Sequence, residues 1–460
     1  MTTTQTNDFS KGSVAGNILR LAVPMTVAQL INVLYSVVDR MYIGRLPDAS
    51  GNALTGLGLT FPIISIVTAF ANLFGMGGSP LFSIERGRGN LEKARVIMGN
   101  TFALLVGTGV VLTAVILLIK QPLLYAFGAS DATYPYANGY ITIYLCGSVF
   151  VMISLGMNNF INAQGFGRKG MMTVLLGAVT NIVLDPIFIF LLDMGVQGAA
   201  LATIIAQFFF TVWAVSFLRG KHTLIRLEPS AMKLQLKLVW QIISLGFSSF
   251  VMAITNSIVQ VACNSTLQTF GGDLYVGVMT IINSVREVVS TPINGVTHAA
   301  QPVMGFNYGA KEYKRVRAGI LFTTILCVVY TTVVWLLLFL FPRFFIGLFS
   351  NETALREAAV PSMHIYFFGF FMMSLQMAGQ SAAVALGRSK QAVFFSLFRK
   401  VVIVAPLTLL LPHLFGLGVT GVFLAEPISN FIGGAACYIT MLLTIWREMR
   451  RKEREKAPQP

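Results

Sequence analysis

Charge is what this sequence has least of. Only 11% of its 460 residues are Asp, Glu, Lys or Arg, against about 25% in soluble domains, and 55% are hydrophobic. Apolar runs of about 18 residues or more recur along the whole chain, and each is long enough to cross a hydrocarbon core of about 30 Å as a helix. A β-barrel would show alternating segments of about ten residues instead. The composition therefore excludes a soluble protein and predicts a polytopic membrane protein.

Reactive side chains are equally scarce. The four cysteines all fall in apolar runs, where a thiol acts as a small buried hydrophobe, so neither disulfides nor a metal cluster is expected. His298, His364 and His413 are single and unclustered. The chain also has no phosphate-binding GxxxxGK[ST] loop and no HExxH motif. We therefore expect no enzymatic activity and no cofactor, and an ion gradient as the source of energy.

Basic residues outnumber acidic ones, 33 to 18, and the net charge is +15. Nucleic acid is not the expected partner, because the basic residues lie between apolar runs, in segments such as RGRGNLEKAR, GFGRKG, NYGAKEYKRVR and the tail WREMRRKEREKAPQP. These segments follow alternate helices, so the positive-inside rule predicts cytoplasmic termini, with anionic lipid as the partner of the basic surplus. The polar start of the chain predicts no cleavable signal. We place twelve helices at 17–42, 54–82, 96–119, 136–163, 171–192, 199–218, 239–268, 274–304, 318–341, 361–386, 392–411 and 420–446.

The two halves of the chain repeat one design. GFGRKG at 165–170 aligns with ALGRSK at 385–390, the same register sets Pro186 on Pro406, and GVQGAALAT at 195–203 aligns with GVTGVFLAE at 418–426. Six helices per half with one charge pattern predict parallel repeats, an architecture of secondary transporters. We expect an N-terminal lobe at 1–218, a basic cytoplasmic linker at 219–238, a C-terminal lobe at 239–446 and a basic tail at 447–460.

Polar residues of the first half differ from their counterparts in the second. Asn181 aligns with Val401, Asp185 with Ala405, and Thr203 with Glu426. The shared prolines indicate scaffold, whereas the acids that are not shared indicate function.

Asp185 is the most costly of these residues, because a charged side chain at the bilayer centre costs at least about 2.5 kcal/mol. Asn181 lies four residues earlier on the same helical face, and Pro186 leaves the carbonyl of Ile182 without its usual N–H donor. Carboxylate, amide and backbone oxygens suit Na⁺, and a protonatable carboxylate suits H⁺. The alternative is a structural role in which Asp185 bridges helices.

Two other predicted helices contain charged residues with open roles. Asp39 is followed by Arg40, so Asp39 either forms an ion pair with it at the membrane interface or belongs to a functional site. Arg286 and Glu287 are adjacent and do not face each other on a helix, so we expect each to pair with another helix, and both are candidate ionisable sites.

The second half has two further features of this kind. Glu426 precedes Pro427 and is a candidate for a second protonatable site, with a structural role equally open. Lys400 and Arg399 lie within reach of the cytoplasmic edge, so we expect Lys400 to snorkel towards water.

Several stretches together resemble the multidrug and toxic compound extrusion (MATE) transporters. They are VPMTVAQLINVLYSVVDRMYIG in helix 1, TNIVLDP in helix 5, QGAALAT in helix 6 and QPVMGFNYGA in helix 8, and the resemblance runs from about 13 to 446. The chain looks most like the bacterial MepA-like group and its DinF-like relatives. The helix 7 acid of the NorM-like branch is absent from AITNSIVQVACN.

The resemblance implies an all-α fold of twelve transmembrane helices in two pseudo-symmetric six-helix lobes. It also implies a monomeric antiporter of the bacterial inner membrane, which exports organic, often cationic, compounds by alternating access and is coupled to Na⁺ or H⁺.

The resemblance also assigns residues. The coupling ion would be held by Asp39, Asn181, Asp185 and Thr203 and by the backbone carbonyl of Ala199. Pro24 matches a helix 1 proline that permits bending in some relatives, and the substrate cavity would include Asn32, Tyr35 and Asn158.

Three other functions remain as alternatives. A lipid-linked saccharide flippase of the same superfamily would bind an anionic substrate and needs a basic cavity, whereas the interior charges here are mainly acidic. A channel or sensor would not need two unmatched carboxylates in one lobe. A membrane enzyme would need a nucleophile, a metal cluster or an acid pair, and the sequence offers none with a matching pattern.

Overall fold

The structure is a computed structural model that describes residues 7–43, 50–349, 353–414 and 416–456. Helices account for nearly all of these residues, and no strand occurs among them. Residues 1–6 and 457–460, which the predicted N-terminal lobe and basic tail include, lie outside the described residues.

We call a helix, or a bent pair of helices, that is long and apolar enough to cross a membrane a span. Spans 1 to 6 are Val14–Ile43, Ser50–Gly87, Leu91–Ala126, the pair Tyr134–Cys146 and Ser148–Ala163, then Gly167–Leu191 and Gly195–Arg219. Spans 7 and 8 form the continuous segment Leu236–Gly309. Spans 9 to 12 are Tyr313–Leu340, the pair Thr353–Tyr366 and Phe370–Ala385, then Ser389–His413 and Val419–Lys456. Two short helices, Pro229–Met232 and Pro342–Gly347, lie between spans.

The segment Leu236–Gly309 holds two spans because it breaks at Gly272. Its 74 residues would extend about 110 Å as one helix, far beyond a bilayer. Gly272 has φ 64° and ψ −164°, a backbone conformation that essentially only glycine adopts, and the chain divides there into 236–271 and 273–309. With this break, the described residues contain twelve spans. The all-α polytopic fold predicted from the sequence is confirmed.

Spans 4 and 10 differ from the prediction of one continuous helix each, at 136–163 and 361–386. Span 4 bends by 56° between Cys146 and Ser148, and span 10 bends by 50° between Tyr366 and Phe370. Gly369 ends the second break with φ 72°, in the left-handed region that favours glycine. Each bend therefore coincides with a glycine inside an apolar run.

By its internal contacts the chain divides into two compact units. The first unit comprises Met1–Asp8 and Val23–Gly246, and the second comprises Phe9–Ala22 and Phe247–Pro460. The division within span 1 thus falls beside Pro24, and Arg315 ties the segment just before the span to the second unit. The guanidinium of Arg315 donates to the backbone oxygens of Phe9 and Gly12, at 2.9 and 2.8 Å. The lobe bounds inferred from the repeat stay a prediction.

The basic linker packs against the first unit through two buried amide side chains. Asn100 donates to the backbone oxygens of Ala231 and Lys233 at 3.1 and 2.9 Å, and Gln164 accepts from the backbone N–H of Ile225 at 2.9 Å. These bonds satisfy linker backbone groups that would otherwise be buried unpaired.

Candidate functional site

The polar residues of span 5 meet span 6 inside the first unit. Asn181 and Asp185 are one helical turn apart and are 2% and 0% exposed. The side-chain amide of Asn181 donates to Oδ1 of Asp185 at 3.2 Å and to Oγ1 of Thr203 at 3.3 Å. Both amide hydrogens are thereby used, and Asn181 links the carboxylate of one span to the hydroxyl of the next.

Two oxygens of this cluster have no hydrogen-bond partner among the described residues. Oδ1 of Asn181 and Oδ2 of Asp185 are both buried, and neither has a partner within the described parts of the chain. A buried polar atom left unpaired costs about 1–3 kcal/mol, and more when it carries charge. Two such oxygens one helical turn apart form a ready binding place for a cation or a proton.

A second carboxylate acts on the same place from span 1. Asp39 is buried, and its carboxylate repels that of Asp185 and also acts on the phenol of Tyr140. Repulsion between acids is strong away from water, because the local dielectric is low. The side chain of Arg40, the suggested ion-pair partner of Asp39, lies outside the described part of the structure. A cation bound between the two carboxylates would relieve their repulsion.

Tyr140 is a member of the cluster that the sequence analysis missed. It lies on the first helix of span 4, is buried, and its hydroxyl lies near the side chain of Thr203. Its ring stacks on that of Tyr144, one turn further on, with centroids 6.2 Å apart. The only signal was the four-residue spacing of two tyrosines in an apolar run, which is equally typical of packing residues.

The backbone after Asp185 explains how spans 5 and 6 come so close. Pro186 cannot donate to the carbonyl of Ile182, and the helix continues as the π-helical turn Ile187–Leu191. The start of span 6 then packs on this turn at Gly198, where a Cβ atom would lie only 2.7 Å from the carbonyl oxygen of Phe188. Ala199 follows directly and is buried one turn before Thr203.

A cavity joins this cluster to two residues expected to contact substrate. Asn32 and Tyr35 of span 1 line it together with Asn181 and Thr203, and part of it is open to the outside. Its other lining residues come from spans 5 and 6: Val174, Gly177, Ala178, Ala206, Gln207 and Phe210. Asn158, the third expected residue, does not line this cavity, and its Oδ1 accepts from Thr173 at 3.2 Å.

The charged residues of the second unit have a different arrangement. Glu426 pairs with Arg286 and Arg399, and Lys400 Nζ lies 3.5 Å from its Oε2. The expectation that Lys400 snorkels to water is wrong: its side chain is 7% exposed and turns inward to this carboxylate. Glu287 is exposed, and so the adjacent Arg286 and Glu287 have separate surroundings.

Twelve apolar spans and a cavity with several polar lining residues within one unit define a multi-pass membrane protein with the architecture of secondary transporters. The chain belongs to the MatE family, whose sequence profile matches residues 24–187 and 248–410. The two matched segments follow the internal repeat, and the resemblance drawn from the motifs is confirmed.

Among curated proteins, the chain is similar to proteins named multidrug export protein MepA. It is 24% identical to that of Staphylococcus saprophyticus over 439 residues and 22% identical to that of Staphylococcus aureus strain NCTC 8325 over 443 residues, with 95% of each chain covered in both cases.

Among solved structures, it is similar to a MATE protein in a straight conformation, with a TM-score of 0.90, 22% identity and coverage of 98% of this chain and 99% of that one. A multidrug resistance MATE family transporter in an outward-facing conformation gives a TM-score of 0.90 and 22% identity, with 99% of this chain and 100% of that one covered. These matches support the twelve-span fold.

Proposed function

We propose that the protein is an antiporter that exports organic, often cationic, compounds by alternating access and is driven by Na⁺ or H⁺. The observation that carries this proposal is the pair of buried oxygens on Asn181 and Asp185, which have no partner in the described part of the chain and lie beside a second carboxylate at Asp39. The names of the curated relatives, which describe multidrug export, support the substrate class. They do not favour the flippase alternative.

The coupling ion would be held by the carboxylates of Asp39 and Asp185, the amide oxygen of Asn181, the hydroxyl of Thr203 and the carbonyl of Ala199. Hard cations prefer such oxygens, and a carboxylate there can take a proton instead. Either ion would reduce the repulsion between the two acids. Support comes from the recorded contacts of Asn181 with Asp185 and Thr203.

Coupling would follow from the cavity that lies beside this site. A cationic compound near Asn32 and Tyr35 is favoured while the acids nearby are charged and loses that attraction once an ion is bound. Because binding free energies are reciprocal, a bound cationic substrate weakens ion binding by the same factor. The two ligands would therefore occupy this unit alternately, and that competition is the basis of exchange.

Bending of span 1 at Pro24 would couple ion binding to a change in the conformation of that span. The division between the two units falls beside this proline, and proline weakens the helix around it by removing a backbone hydrogen bond. Similar MATE proteins have been solved in a bent and in a straight conformation. We infer that ion binding at Asp39 shifts the balance between two such forms here.

The membrane orientation belongs to the same proposal: both termini cytoplasmic, in a bacterial inner membrane, with the protein acting as a monomer. Three contacts in the second unit support the placement of both termini on one side. Arg315 binds the backbone of Gly12, Lys456 binds Glu312 at 2.7 Å, and Arg388 pairs with Glu448. The two ends of the chain thus meet the same loops.

The test is efflux of a cationic dye from vesicles that contain the purified protein, under a sodium gradient and a pH gradient imposed separately. Asp185→Asn keeps the shape of the side chain and removes the charge, so ion-driven efflux should fall at least about tenfold. Asp193→Asn is the control, because Asp193 lies in the turn after span 5. Equal efflux and ion dependence in Asp185→Asn and the unchanged protein would refute the proposal.

A further inference from the structure

Three cations surround a single carboxylate inside the second unit. Arg286 Nη2 lies 2.9 Å from Oε1 of Glu426, Arg399 binds the same oxygen, and Lys400 Nζ lies 3.5 Å from Oε2. We call these four residues the Glu426 cluster. In the described part of the chain, every ion pair of the three cations ends on Glu426, so two positive charges have no balancing acid.

The remaining partners of the cluster are neutral. Arg399 donates to the side-chain amide oxygen Oε1 of Gln376 at 2.8 Å and to the hydroxyl of Ser429 at 3.2 Å, and Arg286 donates to the hydroxyl of Tyr366 at 2.7 Å. Such dipoles stabilise a cation without cancelling its charge. Uncompensated charge is costly away from water, and it is relieved either when Lys400 gives up its proton or when an anion joins the cluster; an anion keeps all three basic groups charged.

The local backbone is built to bring adjacent cations to one point. Arg399 and Lys400 are consecutive, and consecutive residues of an α-helix point about 100° apart. Here they lie in the π-helical segment Phe398–Val404, whose wider turn allows both side chains to be buried and to reach Glu426. π-Helical turns within α-helices occur frequently at functional sites.

The place of the cluster in the repeat is a second, independent observation. Val401, which directly follows Lys400, aligns with Asn181, and Glu426 aligns with Thr203. The Glu426 cluster therefore occupies in the second half the place that Asn181, Asp185 and Thr203 occupy in the first half. In the first half this place has two acids, Asp39 and Asp185, and in the second half it has an excess of buried basic side chains.

We propose that the Glu426 cluster is an anion site and that its ligand is a small inorganic monovalent anion of the halide type. An ammonium group has three N–H donors, and Lys400 has one recorded partner, at 3.5 Å, so it is the cation best able to bind a further acceptor. A halide accepts hydrogen bonds from several directions and needs no donor in return. A small ion also suits the depth of the cluster, because Arg399 and Lys400 are more than nine-tenths buried and Arg286 is 25% exposed.

The test is thermal unfolding of the purified full-length protein in detergent, with sodium chloride replacing sodium gluconate at constant sodium and ionic strength. We expect the unfolding temperature to rise with chloride and to saturate. Lys400→Met should weaken the apparent chloride affinity about tenfold or more, because a charge-assisted hydrogen bond is lost. Lys390→Met is the matched control: this exposed lysine on the same span should leave the chloride response unchanged.

Two additions guard against a variant that fails to fold. Lys400→Arg keeps the charge and should keep the chloride response, and bromide-soaked crystals of the unchanged protein should show an anomalous peak beside Nζ of Lys400. Asp185→Asn should also respond to chloride, which separates this site from the proposed coupling site. Equal unfolding temperatures in chloride and gluconate, or bromide crystals without that peak, would mean a structural network of ions only and would overturn the proposal.

Discussion

Asn181 donates both of its amide hydrogens, one to Asp185 and one to Thr203, and its own carbonyl oxygen is left buried without a recorded partner. The residue thus links spans 5 and 6, and its Oδ1 atom can still accept a hydrogen bond or bind a cation. An amide used only for structure would more commonly have its oxygen satisfied as well. This asymmetry is why the ion site is proposed here.

Asn181→Ala should weaken ion coupling without unfolding the protein. The substitution removes one oxygen ligand and both hydrogen bonds, so the ion concentration needed for half-maximal efflux should rise about tenfold. Asn159→Ala is the control, because the amide of Asn159 donates to Leu155 of its own helix at 3.0 Å. An unchanged ion dependence in Asn181→Ala, with normal expression, would contradict a role of this oxygen in ion binding.

Tyr140→Phe tests the member of the cluster that no sequence motif indicated. The change keeps the buried ring and removes the hydroxyl that lies near Thr203, so the apparent ion affinity should fall severalfold while the unfolding temperature changes little. Tyr144→Phe is matched in ring stacking and burial and should change the ion affinity less. Both are read from dye efflux over a range of sodium concentrations and pH values. A larger effect in Tyr144→Phe would indicate that the hydroxyl of Tyr140 has no special part.

The sequence predicted the spans and the meeting of Asn181 with Asp185 for clear physical reasons. High mean hydropathy over a window of about 20 residues indicates a helix that crosses the membrane, and a four-residue spacing places two side chains on one helical face. Comparison of the halves then separated Pro186, which recurs, from Asp185, which does not. These signals are local or follow one alignment register.

What could not be predicted depends on contacts between distant spans. Lys400 was expected to reach water, yet it is buried and forms an ion pair with Glu426 on the next span. Tyr140 lies near Thr203 although 63 positions of sequence separate them, and hydropathy contains no information on such a pair. The bends in spans 4 and 10 were missed because one glycine in an apolar run scarcely changes a window average.

Gly198→Val should disturb the packing that places Thr203 beside Asn181. A Cβ atom at Gly198 would lie 2.7 Å from the carbonyl oxygen of Phe188, so span 6 must move outward, with a cost of about 1–3 kcal/mol. We expect a lower unfolding temperature together with a weaker ion dependence of efflux. Gly107→Val is the control, because nothing lies within 4 Å of the Cβ position there. Equal unfolding temperatures in the two variants would show that the approach at Gly198 is not close in solution.

Glu426→Gln should be the most destabilising of these changes, because it removes the carboxylate that holds three cations and leaves them facing one another. Removing one partner of a buried ion pair lowers the free energy of unfolding by about 3–5 kcal/mol, whereas removing the acid of an exposed pair lowers it by about 1 kcal/mol or less. Glu312→Gln, which breaks the exposed pair with Lys456, is therefore the matched control. The double variant Glu426→Gln/Arg399→Gln should recover part of the lost unfolding temperature, because it removes one of the repelling charges. If Glu426→Gln has an unfolding temperature no lower than that of Glu312→Gln, the three cations do not depend on Glu426 for their stability. If the double variant has a lower unfolding temperature than Glu426→Gln, repulsion among the cations is not the cause of the loss.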